Sequence, residues 1–70
     1  MTTALDLVKP VMETRGLITS ATRTLLEVLE NRDTTPDAKI HAAHAIRSLA
    51  DTAATLTRLR RDLAHPGGTP

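Results

Sequence analysis

Thr35-Pro36-Asp37-Ala38-Lys39-Ile40-His41-Ala42-Ala43-His44-Ala45-Ile46-Arg47 opens a run that reaches Ala64 without a glycine or a further proline. Its first three residues are a helix start. A hydroxyl can cap free backbone N–H groups, proline has no N–H to lose at the first helical position, and an acid favours the positive end of the helix dipole. Within the run Ala42, Ile46, Leu49, Ala53, Leu56, Arg60 and Leu63 recur at alternating spacings of four and three. That is a heptad seam with one polar interruption, at Arg60. His65-Pro66-Gly67-Gly68 stops it. The spacing therefore predicts a helix over 36–64, about 43 Å long at 1.5 Å per residue.

Upstream, Ile18, Ala21, Leu25, Val28 and Leu29 form one helical stripe, which predicts a helix over 17–31. Asn31-Arg32-Asp33-Thr34 is then a short polar turn, so these two helices run antiparallel. A first helix is expected over 4–14. Thr3 and Asp6 stand at capping-box spacing, and Leu5, Val8 and Met12 fall on one face. Pro10 should kink it, and Gly16 should end it as a C-terminal cap. The expected fold is all-α: a three-helix hairpin or bundle with a long C-terminal helix, in one domain over 1–65, with a disordered tail over 66–70.

Composition argues that this bundle is completed by oligomerisation. Seventy residues include no Cys, Phe, Tyr or Trp, so neither disulfides nor large aromatic side chains support a core. The apolar residues are ten Ala, ten Leu, three Val, three Ile and two Met. A core of that size barely offsets the ordering entropy of the chain. A helix over 17–31 would also cover only half of the longer helix. Ile46, Leu49, Ala53, Leu56, Leu59 and Leu63 are therefore the candidate contact set for another copy of the chain or another helical protein.

Net charge is +1, from nine Lys and Arg against eight Asp and Glu. That balance disfavours a protein whose main partner is nucleic acid or an acidic membrane. The N-terminus lacks the basic start and apolar run of a signal peptide, so a cytoplasmic location is expected. Arg outnumbers Lys seven to two, which with abundant Ala and Thr suggests a GC-rich bacterial or phage origin.

Candidate chemistry is sparse. His41 and His44 lie three apart on the long helix, with Asp37 one turn before His41; these are the only residues with metal-ligand character, and three or four ligands are normally needed. Asp62 and His65 repeat the pairing at a helix end. Arg58, Arg60 and Arg61, with Arg47 earlier on the helix, are candidate phosphate contacts. Cations near a helix C-terminus are equally explained by the dipole, and no aromatic platform exists for stacking bases. Ser20 and Ser48 stand in no nucleophile motif. Glu27 with Glu30, or Glu13 with Asp6, have no pocket to shift their protonation. No cofactor and no catalytic residue is expected.

Leu25-Leu26-Glu27-Val28-Leu29, the turn to Thr35-Pro36-Asp37-Ala38, and Ala42-Ala43-His44-Ala45-Ile46-Arg47 resemble a hairpin found in some phage terminase small subunits and related bacterial DNA-binding regulators. There it follows a DNA-binding helix-turn-helix and serves oligomerisation. The resemblance runs from Leu25 to Leu63. No helix-turn-helix precedes it here, so it implies only the oligomerising half and carries over no DNA-reading residue. The leading expectation is a non-enzymatic helical interaction module. The alternatives are a DNA-associated regulatory or packaging accessory using the arginines, and a metal-binding bundle using the histidines.

Overall fold

The computed structural model describes residues 3–65, and the tail expected over 66–70 lies outside them. The described residues are all helical or turn. A 3₁₀ turn over Leu5–Leu7 leads into α1, Val8–Glu30, and a short connection leads to α2, Pro36–Ala64. The two helices pack against each other, and the 3₁₀ turn touches α2.

The three-helix expectation is thereby corrected to two, and the physics of Pro10 and Gly16 explains why. Pro10 is the third residue of α1, where the backbone N–H has no helical acceptor to lose. The chain accommodates its ring by tightening the residues before it. The Asp6 N–H donates to the Thr3 carbonyl and the Leu7 N–H to the Ala4 carbonyl, both at 3.1 Å, which is 3₁₀ spacing. So the proline sets the start of the helix in place of kinking its middle. The predicted capping box holds this start: the Thr3 N–H donates to Asp6 Oδ2 (3.1 Å) and the Asp6 N–H to Thr3 Oγ1 (3.3 Å).

Gly16 does not cap anything. It lies inside α1, in a helix that continues through it at the ordinary cost of a glycine, about 1 kcal/mol relative to alanine. The expected breaks therefore vanish, and α1 is about 34 Å long against about 43 Å for α2.

The connection follows the sequence closely. Asn31 leaves helical geometry at φ −75° and ψ 128°. Its side-chain Oδ1 accepts from the Asp33 N–H at 2.8 Å, and its carbonyl accepts from the Thr34 N–H. Thr35 then caps α2, its Oγ1 accepting from the Ala38 N–H at 3.2 Å, with Pro36 as the first helical residue.

Continuity of α1 changes what covers α2. The half of α2 expected to lack a cover lies along the N-terminal part of α1 and the 3₁₀ turn. Val8, Val11, Ile18, Leu25 and Leu29 are half-buried on α1; Ile46, Leu49, Ala53, Leu56 and Leu63 are half-buried on α2. The heptad seam of α2 thus faces its own companion helix. Ala42, 5 % exposed, is the one fully buried residue among those described.

Threonine in helices has a physical account here. Seven helical threonines, Thr14, Thr19, Thr22, Thr24, Thr52, Thr55 and Thr57, donate their hydroxyl to the carbonyl four residues back, at 2.9–3.3 Å. Each polar group is satisfied inside its own helix, so Thr22 and Thr57 sit part-buried at the helix contact at no cost in unpaired hydroxyls.

Candidate functional site

The hairpin has two broad faces, one on either side of the helix contact. One carries an open groove of about 340 Å³, lined from α1 by Ile18, Thr19, Thr22, Arg23 and Leu26 and from α2 by Leu49, Ala50 and Ala53. Helical geometry builds it. Side chains at 19, 23 and 26 stand about a quarter-turn to one side of the buried seam of α1, and Ala50 stands on the matching side of α2. Alanine and threonine there are too short to close the space between the helix backbones. The groove bears no pair of acid and base groups. Among all the described residues no cluster of three or more His, Cys, Asp or Glu could hold a metal ion.

The sequence-predicted residues distribute as follows. Of the six contact candidates, Ile46, Leu49, Ala53, Leu56 and Leu63 are half-buried along the seam shared with α1, while Leu59 stands outside it, 39 % exposed. The expected intermolecular set is therefore mostly occupied within the hairpin. Periodicity identified the seam correctly but cannot say whether its cover comes from the same chain.

His41, His44 and Asp37 are all exposed, with no third ligand joining the histidines. Arg47, Arg58, Arg60 and Arg61 are exposed too. At 100° per residue Arg47, Arg58 and Arg61 share one sector of α2 about 60° wide, whereas Arg60 falls on the seam line. The four do not form one surface.

The Asp6 carboxyl is displaced below its ordinary range. The Thr3 backbone N–H, and then the Thr3 hydroxyl, hydrogen-bond to its carboxylate and lower its pKa. That is helix capping, not catalysis.

Area is the quantity that sets this chain apart. A compact folded chain of 7.5 kDa exposes about 4,250 Å², yet this one exposes 5592 Å². Its radius of gyration is 16.1 Å, where a compact chain of this length has about 11 Å. The molecule is a slab of 50 × 22 × 15 Å, two helices in one layer, with large apolar side chains left open on both broad faces. Leu17 is 71 % exposed, Leu26 45 % and Leu7 43 %. No helix among the described residues is long and apolar enough to cross a membrane. None of the protein families, curated proteins and solved structures compared with this chain matches it.

Proposed function

We propose that this chain is a non-enzymatic helical interaction module whose hairpin self-associates. One observation carries the reading: the hairpin encloses a single alanine, and the chain as a whole leaves roughly 1,300 Å² more surface in water than a folded chain of its mass should. Two helices have one contact line between them, and a line cannot enclose a leucine from all sides. A second layer of helices can, which is why helical hairpins pair into four-helix bundles. The alternatives to a partner are absent from the sequence, which has no cysteine and no aromatic residue. A core this open does not offset the ordering entropy of its helices unless more apolar surface is covered.

Sedimentation equilibrium on the purified chain tests this. The expected mass is a multiple of 7.5 kDa, with helical signal and melting temperature rising with protein concentration. A single-chain mass, with a concentration-independent melt, would refute it.

A further inference from the structure

The groove is the more conspicuous surface, but the opposite face is the better partner surface. On α1, Pro10, Thr14, Leu17, Ala21, Thr24 and Val28 recur at spacings of four and three; on α2, His41, Ala45, Ser48, Thr52, Thr55 and Leu59 do the same. At 100° per residue each set lies about a quarter-turn from its helix's seam, on the side away from Arg23, Leu26 and Ala50. The two stripes therefore form one continuous face of the hairpin.

None of those twelve positions is Lys, Arg, Asp or Glu, although 24 % of the chain is charged, and the acids nearest this face on α2 stand at its two ends, Asp37 and Asp62. A solvated surface carries roughly 25–35 % charged residues, so about three or four would be expected there. The charges lie elsewhere: Arg15, Arg23, Lys39 and Arg61 fall on the groove side, against Glu30 alone.

Independently of charge, the threonine hydroxyls of this face are turned inward, which leaves Ser48 and His41 as its exposed polar side chains. All four of its threonines, Thr14, Thr24, Thr52 and Thr55, donate their hydroxyls to carbonyls of their own helix at 2.9–3.3 Å. What they can present outward is a methyl group. The face thus offers methyls, small alanine gaps at Ala21 and Ala45, and two open knobs at Leu17 and Leu59.

We infer that this uncharged face is the interface between two copies of the chain, which rests on the self-association proposed above. Two features point to a second copy as the occupant. The face holds both knobs and gaps, so it is complementary to itself across a two-fold axis. It is also the right size. The slab is 22 Å wide and the helices overlap for about 34 Å, giving about 750 Å², close to the ~800 Å² per partner of a standard interface. Pairing through the groove would instead bring the arginines of both copies together, a repulsive arrangement.

Paired arginine substitutions separate this assignment from the reading beneath it. Ala21→Arg places a charge mid-face and Ala50→Arg one in the groove, both at exposed helical positions. Where the wild type sediments at twice the chain mass, Ala21→Arg is expected at the single mass, its association weakened roughly a hundred-fold; Ala50→Arg remains double. Because the chain has no native cysteine, Thr24→Cys and Ala50→Cys add a readout that does not disrupt packing. Alkylation of Thr24→Cys should slow as protein concentration rises, and that of Ala50→Cys should not. An Ala21→Arg variant that stays double, a wild-type mass of more than two chains, or protection found at Ala50→Cys, overturns the face but leaves self-association standing. A wild type sedimenting as one chain overturns both.

Discussion

Gly16→Ala is the substitution that most directly questions the two-helix architecture. A Cβ built at Gly16 meets nothing within 4 Å, so the change adds no packing and no clash. What remains is backbone entropy and helix propensity, which favour alanine by about 0.8–1.0 kcal/mol inside a helix. For a chain of this size that raises the melting temperature by about 4–8 °C. The position also lies on the outer side of α1, away from the uncharged stripe, so oligomeric mass should not change. Thermal melts followed by circular dichroism, at one fixed protein concentration, measure the effect. Had Gly16 ended a first helix in a left-handed cap, the same substitution would strain the backbone and lower the melting temperature. A fall of several degrees would therefore sink the continuous α1 and restore two separate segments.

Other substitutions probe other levels of the structure. Thr35→Ala removes the oxygen that accepts from the Ala38 N–H and should cost about 1 kcal/mol, read by denaturant titration. Leu49→Ala should cost about 1–2 kcal/mol, below the 2–5 of an enclosed leucine, because Leu49 is only half-buried in the hairpin; a larger loss would mean that a partner buries it further. Asp6 has a folded pKa below its unfolded value, so the capping box contributes above the unfolded value and is lost as pH falls through the folded one. Asp6→Asn should flatten that acid limb, with the Asp6 carboxyl titration followed directly by NMR. Finally, a gel shift at two salt concentrations should show no duplex DNA retained at either, since net charge is only +1 and Arg60 stands apart from Arg47, Arg58 and Arg61; retention that falls steeply with salt would revive the phosphate-binding role.

The sequence made α2 fully legible: cap, proline, seam and stop were all local signals, and the helix begins and ends where they place it. The polar turn and the capping box at Thr3 and Asp6 were equally local. The error lay in α1, where Pro10 and Gly16 are breakers by type but not by position. A proline in the first turn costs little, and a glycine facing open space only weakens a helix that tertiary contact holds. Misreading those two residues shortened α1 and left the distal half of α2 without its companion helix in the expected fold. The face opposite the groove was missed for a different reason. Its signal is an absence of charge on two helices at once, visible only when their sides are known to align.

Thr35 and Pro36 have a consequence beyond starting α2. A residue before proline is pushed out of helical geometry, and Thr35 sits at φ −66° and ψ 156°. The connection therefore resists straightening into one rod that would join α1 and α2 end to end. Such a rod is the form two hairpins would need to exchange arms with each other, the route by which short-looped helical pairs become entangled. With a continuous helix disfavoured at Thr35, the turn itself biases the chain towards the folded-back hairpin.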